Sequence, residues 1–344
     1  MEGISFTKPA TGGLVSIVIP TYHGERLIGE TLASISKQTY RRWEVIVVED
    51  GSNSRTEAIV KTFARRHPWH RVHFSQNEQN RGPSYTRNVA FAKVRGEMVA
   101  LLDSDDRWLP DHLSISVEAL QTSGKDVVYS TVLMIEDQTE MLLGIWGPHA
   151  GELANFPQSL FGRNFITPSA TVLRRQVLAD VGLWDTNLRY CEDLDFWLRC
   201  LASGKTFQYV GGCHCLYRRN HAEAATGRMC QVLESFAQVV ERHMHFPGLR
   251  ERTCRKYVAQ AFVAAAQRHA ISDPRHDPSA DHSRASRLML KAWRLKPNRV
   301  RYLWPVTKFG VADLFRRRKL PDATPAPDAA PAMASTESPA RLAA

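Results

Sequence analysis

The chain of 344 residues lacks any run approaching about 18 consecutive apolar residues, the length an α-helix needs to span a bilayer. Its start shows no positive segment followed by a long apolar stretch, so no secretory leader is expected. It has no CxxC pair. Six cysteines stand at 191, 200, 213, 215, 230 and 254, a pattern of reduced cytoplasmic thiols rather than a disulfide framework. Cys213, His214 and Cys215 could contribute to a zinc site only with a fourth ligand at a suitable spacing. There is no clear internal repeat, so a solenoid is not expected. Acidic residues are the scarcer charge, 35 against 45 Lys and Arg, for a formal +10. That excess suits an anionic partner or simply keeps the protein soluble.

What is present is an alternation of two kinds of segment. "LVSIVIPTY" (14–22), "WEVIVVEDGS" (43–52), "RVHFSQN" (71–77) and "EMVALLD" (97–103) are short β-branched runs and read as strands. Between them, Leu27, Ile28, Leu32 and Ile35 keep helical spacing. "SRTEAIVKTFARRH" (54–67) reads as a helix capped by Ser54, and "PSYTRNVAFAKVRG" (83–96) as one that starts at Pro83 and stops before Gly96. Strands apolar on both faces, alternating with helices, predict a mostly parallel sheet covered by helices. Right-handed crossovers place the strand C-termini along one edge, where ligands bind.

Acids collect at that edge. Asp103 and Asp105, two apart after a strand, point the same way in extended geometry and suit Mg²⁺ or Mn²⁺ with a phosphate partner. The alternative is a solvated turn, with Asp106 or Asp111 capping the next helix. Glu49 and Asp50 end the neighbouring strand and could accept bonds from a ribose or base. Arg81, Gly82 and Arg87 flank a helix start that suits a diphosphate.

Taken together, "SIVIPTYHGERLIGETLASISKQTYRRWEVIVVEDGSNS", "NRGPSYTRNVAFAKVRGEMVALLDSDDRWLPDHL" and "TPSATVLRRQVLADVGLWDTNLRYCEDLDFWLRCLASG" resemble the segments of family 2 glycosyltransferases, in the same order, over roughly residues 14–220. The resemblance implies a GT-A fold, a Rossmann-like α/β sheet, and inverting transfer of a sugar from a nucleotide-diphosphate donor, most naturally a UDP-sugar, to a glycan or lipid-linked acceptor. It implies that Pro20, Tyr22, Glu25, Glu49 and Asp50 line the nucleoside pocket and that Arg87 approaches the diphosphate. Asp103 would sit by the ribose and metal, with Asp105 the main ligand to Mn²⁺ or Mg²⁺. Asp193 falls at the family's catalytic base, with Glu192 the second choice. Where the family has two aspartates this chain has Glu49 and Asp50, one methylene longer at the first. The polymerising relatives' "QxxRW" is replaced by "YRRNH" (217–221), which favours addition of one sugar per encounter.

Trp184 and Trp197 could stack on a sugar, Trp197 being better placed for the core. His214 and His221 could approach the diphosphate or serve the fold. The sequence divides into a GT-A unit (1–220), a helical region (221–320) and a Pro/Ala/Ser-rich tail (321–344) expected to be disordered. Arg294, Lys296, Arg299, Arg301, Lys308 and Arg316 to Lys319 interleave with aromatics such as Trp293 and Trp304. Such a block suits peripheral contact with the inner face of a cell membrane, and equally suits solvated helix faces with a buried aromatic side. Nucleic acid is not an expected partner, because acids gathered at the ligand edge would repel phosphates without metal. Residues around 138–166, where acceptor and sugar contacts arise, carry no discriminating pattern.

Overall fold

The computed structural model describes residues 13–51, 55–219, 228–273 and 277–297. In chain order the elements are β1 (Val15–Thr21), α1 (Ile28–Ser36), β2 (Trp43–Glu49), α2 (Thr56–Arg66), β3 (Val72–Gln76), α3 (Pro83–Phe91), β4 (Met98–Leu101), β5 (Arg107–Trp108), α4 (His112–Ser123), β6 (Val127–Glu136) and β7 (Leu142–Trp146). There follow α5 (Ala150–Ala154), β8 (Thr171–Arg174), α6 (Gln176–Val181), α7 (Glu192–Ala202), β9 (Phe207–Arg219), α8 (Met229–Arg242), α9 (Glu251–Ile271) and α10 (His282–Leu295).

The strands form one sheet in the order β3-β2-β1-β4-β8-β6-β9-β5, with β7 beside β6. The expected parallel arrangement holds for β3, β2, β1 and β4. Beyond β4 the sheet is mixed: β8 runs antiparallel to both β4 and β6, while β6 and β9 are parallel. Every residue of β1 and β2 is buried, the apolar majority as a sheet covered on both faces requires and the polar Ser16 and Glu44 by pairing with each other, Ser16 Oγ donating to Glu44 Oε1 at 2.5 Å. Their side chains alternate between two cores. Val15, Ile17 and Ile19 join α1 and α4 on one face. Val18, Ile46 and Val48 face α3 and α7 on the other, and that core continues into α8, α9 and α10 through Val240, Phe262 and Met289. The C-terminal helices are thus packed into the same interior as the sheet.

One local expectation changes. Helix α3 stops at Phe91, short of Gly96. Gly96 is needed for close approach instead: a Cβ there would lie 2.4 Å from the Leu14 carbonyl oxygen. Residues Phe207–Arg219 form one long strand, β9. Ser54, His221, the basic run from Arg299 onward and the 321–344 tail lie outside the described residues. Among those described, no helix is long and apolar enough to cross a membrane.

Candidate functional site

The parallel strands deliver their C-terminal ends to one edge, and the acids predicted there do meet. Pro20 is buried within β1, opposite Val48. Tyr22 follows, 45% exposed, with His23 edge-on at 4.3 Å. His23 adopts a left-handed backbone (φ 52°), and its amide donates to Glu49 Oε1 at 2.9 Å. Glu25 is exposed on the short 3-10 turn Gly24–Arg26. Asp50 is committed to the protein. Its Oδ1 accepts from Asn77 Nδ2 and the Arg81 amide, both at 2.9 Å, and its Oδ2 from the Gly82 amide at 2.7 Å. It therefore suspends the loop that leads into α3. Arg81 itself is exposed, its guanidinium 4.2 Å over Tyr85.

The turn after β4 is fastened from three sides. The Asp103 amide donates to Ser169 Oγ at 3.0 Å, and Thr31 Oγ1 donates to the Ser104 carbonyl at 2.8 Å. From β9, the Arg218 amide donates to Asp106 Oδ1 at 2.9 Å and its Nε to the Asp105 carbonyl at 3.1 Å. Asp106 is fully buried. Burial first, then the charges of Asp105 and Asp103, push its pKa well above the usual carboxylate range. Asp103 and Asp105 remain partly accessible, so the residues left to face a ligand are those two. Among the described residues no cluster of three metal-ligating side chains exists. Two carboxylates on one turn can still hold a hard divalent cation when phosphate oxygens and water complete its shell. The negative charge that lifts Asp106 is the excess such a cation would offset.

Arg87, 5% exposed on α3, joins this turn to the start of α7. Its Nη2 meets Asp103 Oδ1 at 2.5 Å and its Nη1 meets Glu192 Oε1 at 3.2 Å. The guanidinium lies 4.5 Å over the Trp184 ring. Burial lowers its pKa, but Asp103 and Glu192 outweigh that and the net shift is upward. The predicted diphosphate ligand is thus a bridge between the two acidic groups.

At the start of α7, Cys191 takes a left-handed conformation (φ 58°) as N-cap, unusual for a residue with a Cβ. It turns Glu192 and Asp193 toward the turn after β4. Asp193 Oδ2 accepts from Asn164 Nδ2 at 2.8 Å and Oδ1 from the Leu194 amide at 2.8 Å. Burial raises the pKa of Asp193 and pushes Glu192 up to about 7, the latter despite the opposing charge of Arg87. Asp195, by contrast, ties α7 to its surroundings through Arg199 and His243. Trp184 and Trp197 are both core residues. His214 is bound to Asp111 and the Gly211 carbonyl, each at 3.0 Å, which accounts for it structurally. Asp111, the N-cap position of α4, makes no side-chain capping bond there.

Sequence reasoning missed Asn164, Ser169, Thr31 and Arg218. Arg218 is 4% exposed and also reaches Asp137 (3.0 Å to the carbonyl, 3.3 Å to Oδ1) and Glu30 (2.7 Å). The only signal in the sequence was the "YRR" ending of β9.

The sequence and the fold have counterparts. The profile of Glycosyl transferase family 2 matches residues 16–182. TuaG of Bacillus subtilis, assigned as a teichuronic acid biosynthesis glycosyltransferase, is 30% identical over 207 residues, 60% of this chain and 79% of its own. An Escherichia coli protein named UDP-Glc:alpha-D-GlcNAc-diphosphoundecaprenol beta-1,3-glucosyltransferase is 31% identical over 126 residues, 37% of this chain and 48% of its own. Among solved structures, S. aureus TarS 1–349 in complex with UDP-GlcNAc superposes with a TM-score of 0.64 at 18% identity, over 88% of this chain and 92% of that one. A Pyrobaculum calidifontis mannosyltransferase in complex with GDP-Man and Mn²⁺ gives 0.54 at 20% identity, over 91% and 90%.

Proposed function

Because the chain belongs to glycosyltransferase family 2, we propose that it catalyses inverting sugar transfer from a nucleotide-diphosphate donor, a UDP-sugar, to a hydroxyl of a glycan or lipid-linked acceptor in polysaccharide biosynthesis. The observation that carries this reading is the Arg87 bridge. It joins the Asp103–Asp105 turn to the Glu192–Asp193 helix start, which supports a donor held at the first lying beside a base at the second. The name of one relative, which gives a UDP-glucose donor and a diphosphoundecaprenol acceptor, supports the choice of donor and acceptor class.

In this mechanism Asp193 accepts the proton of the acceptor hydroxyl as its oxygen bonds to the anomeric carbon. The bond from that carbon to the diphosphate oxygen breaks, and its electron pair leaves with the nucleotide. Asn164 and the Leu194 amide hold the Asp193 carboxylate in one orientation. Asp103 and Asp105 would hold Mn²⁺ or Mg²⁺, which supplies charge neutralisation to the departing diphosphate. Tyr22 is exposed beside the Glu49 end of β2 and offers a face for the base, while Asp50 acts by fixing the 77–82 loop. Titration calorimetry of UDP, GDP and dTDP with and without Mn²⁺ tests the donor site. Metal-dependent binding of UDP above the others is expected, and its absence would overturn the reading.

A further inference from the structure

We propose that the edge of the sheet opposite the crevice docks the protein on an anionic lipid bilayer, with Trp69 as its interfacial anchor. The charges along the parallel strands are sorted. Acids gather where these strands end, and arginines gather where they begin. Arg41 and Arg42 lead into β2, Arg65 and Arg66 close α2 ahead of β3, and Arg95 leads into β4. All five are exposed, and none forms an ion pair with another described residue. The acids on the same edge are engaged by the protein itself. Glu44 is buried against Arg71 at 2.6 Å. Glu97 accepts from the Gly13 amide at 3.2 Å, and Asp126 from the Thr206 amide and hydroxyl, both at 2.8 Å. The five unpaired arginines outweigh these acids, and a positive surplus faces water.

Trp69 stands on this edge at 94% exposure, the highest of any large apolar side chain among the described residues. Its loop is held firmly. On one side the His67 ring lies 4.4 Å from Phe63. On the other the His70 ring stacks on the buried Trp43 at 3.5 Å, and its Nδ1 donates to the Trp43 carbonyl at 3.0 Å. The His70 amide closes the turn on the His67 carbonyl at 3.0 Å. Two imidazoles thus fasten the loop to the core and hold the indole out in water between them. Such a side chain gains by leaving water for the headgroup region, where its ring is covered and its N–H still finds a partner. The arginines around it then meet the negative headgroups. Their spread suits a surface rather than a single anion: they reach from β3 to β4, three strand spacings or about 14 Å. Docking by this edge also turns Asp103, Asp105 and Asp193 away from the like charge of the bilayer, by about the 23 Å that the seven residues of β2 span.

Vesicle sedimentation of the full chain tests the idea, with phosphatidylcholine alone and phosphatidylcholine mixed with phosphatidylglycerol. Binding to the mixed vesicles that falls as salt rises is expected, with none to the neutral ones. Arg65→Gln combined with Arg66→Gln should weaken that binding by about thirtyfold, and Trp69→Ala by about tenfold. Quenching of the parent's fluorescence by brominated lipid in the mixed vesicles should disappear in Trp69→Phe. Leu142→Ser combined with Ile145→Ser removes exposed aliphatic surface at the crevice end of the sheet and should leave vesicle binding like the parent's. The replaced side chains are exposed, so unfolding midpoints should match, and UDP titration with Mn²⁺ reads the crevice separately. The proposal is overturned if the mixed vesicles do not bind the chain, if neutral vesicles bind it equally, or if the arginine and Trp69 variants bind like the parent. It is overturned too if the β7 variant loses binding in their place, since the crevice would then face the bilayer. Soluble hexagalacturonate that binds the parent and not the arginine variant would assign the edge to an anionic polymer instead. Failure of UDP to bind would refute the donor reading and leave the vesicle results to decide the docking edge.

Discussion

Replacing Arg87 with methionine keeps an apolar stem over Trp184 and removes the one charge that Asp103 and Glu192 share. Breaking a buried ion pair by deleting one partner costs about 3–5 kcal/mol when the survivor is fully enclosed. Here the survivors are partly relieved, with side-chain exposures of 28% for Asp103 and 14% for Glu192, so the lower end, about 3 kcal/mol, is expected at pH 8. The cost should depend on pH. Glu192 already sits near 7, and Arg87 is a cause that holds it down, so its removal drives Glu192 higher. At pH 5 Glu192 is protonated with or without Arg87, and only Asp103 is left unpaired. Denaturant unfolding of parent and variant at both pH values measures the difference. A cost equal at pH 5 and pH 8, or below about 1 kcal/mol at pH 8, would refute the assignment of Arg87 as an electrostatic bridge.

Other substitutions separate the remaining roles. Asp193→Asn should lower transfer by about 10²–10⁴-fold while leaving UDP titration nearly unchanged; retained turnover would move the base elsewhere. Because burial raises the pKa of both Asp193 and Glu192, UDP release should climb with pH through the acid side toward neutrality, and Glu192→Gln should remove the component near 7. The stability linkage has the opposite sign. The folded state binds more protons than the unfolded chain between the ordinary glutamate range and about 7, so this group's contribution falls as pH rises across that window, which unfolding titrations of the parent and Glu192→Gln will read. Arg218→Met should destabilise by about 3–5 kcal/mol and weaken Mn²⁺-dependent UDP binding, with Arg218→Lys intermediate in both.

Much of the frame is legible because its signals are local. The strands β1, β2 and β4 are predominantly apolar runs, α7 is amphipathic, and acids at strand ends reach one edge once the crossovers share a hand. Asp106 does part from Asp103 and Asp105 in burial, but through a turn closed by its amide on the Asp103 carbonyl at 3.1 Å rather than through the strand alternation expected. The rest depends on partners distant in sequence. Arg218 meets Glu30, Asp105 and Asp137, none of them near it in the chain. No periodicity marks such a pairing, and "YRR" alone does not reveal that the arginine is buried. Asn164 was hidden for the same reason, within a segment of unremarkable composition. The role assigned to Asp50 shifted because its carboxylate is filled by the backbone of a loop about thirty residues away. The early end of α3 follows from packing of Gly96 against the β1 end, which helical propensity cannot anticipate.

The Arg218 junction bears on how variation in this chain should be read. One guanidinium and its own amide hold α1, the β6–β7 connection and the turn after β4. Those three pieces cannot drift independently. Glu30, which looks like an ordinary exposed helix acid, and Asp137, which opens a polar hairpin turn, are therefore extensions of the proposed nucleotide site. A neutral replacement at either would be felt at Asp105, although neither is expected to touch the donor. Tolerance to substitution around this crevice will follow the reach of one buried cation more closely than distance from the reacting atoms.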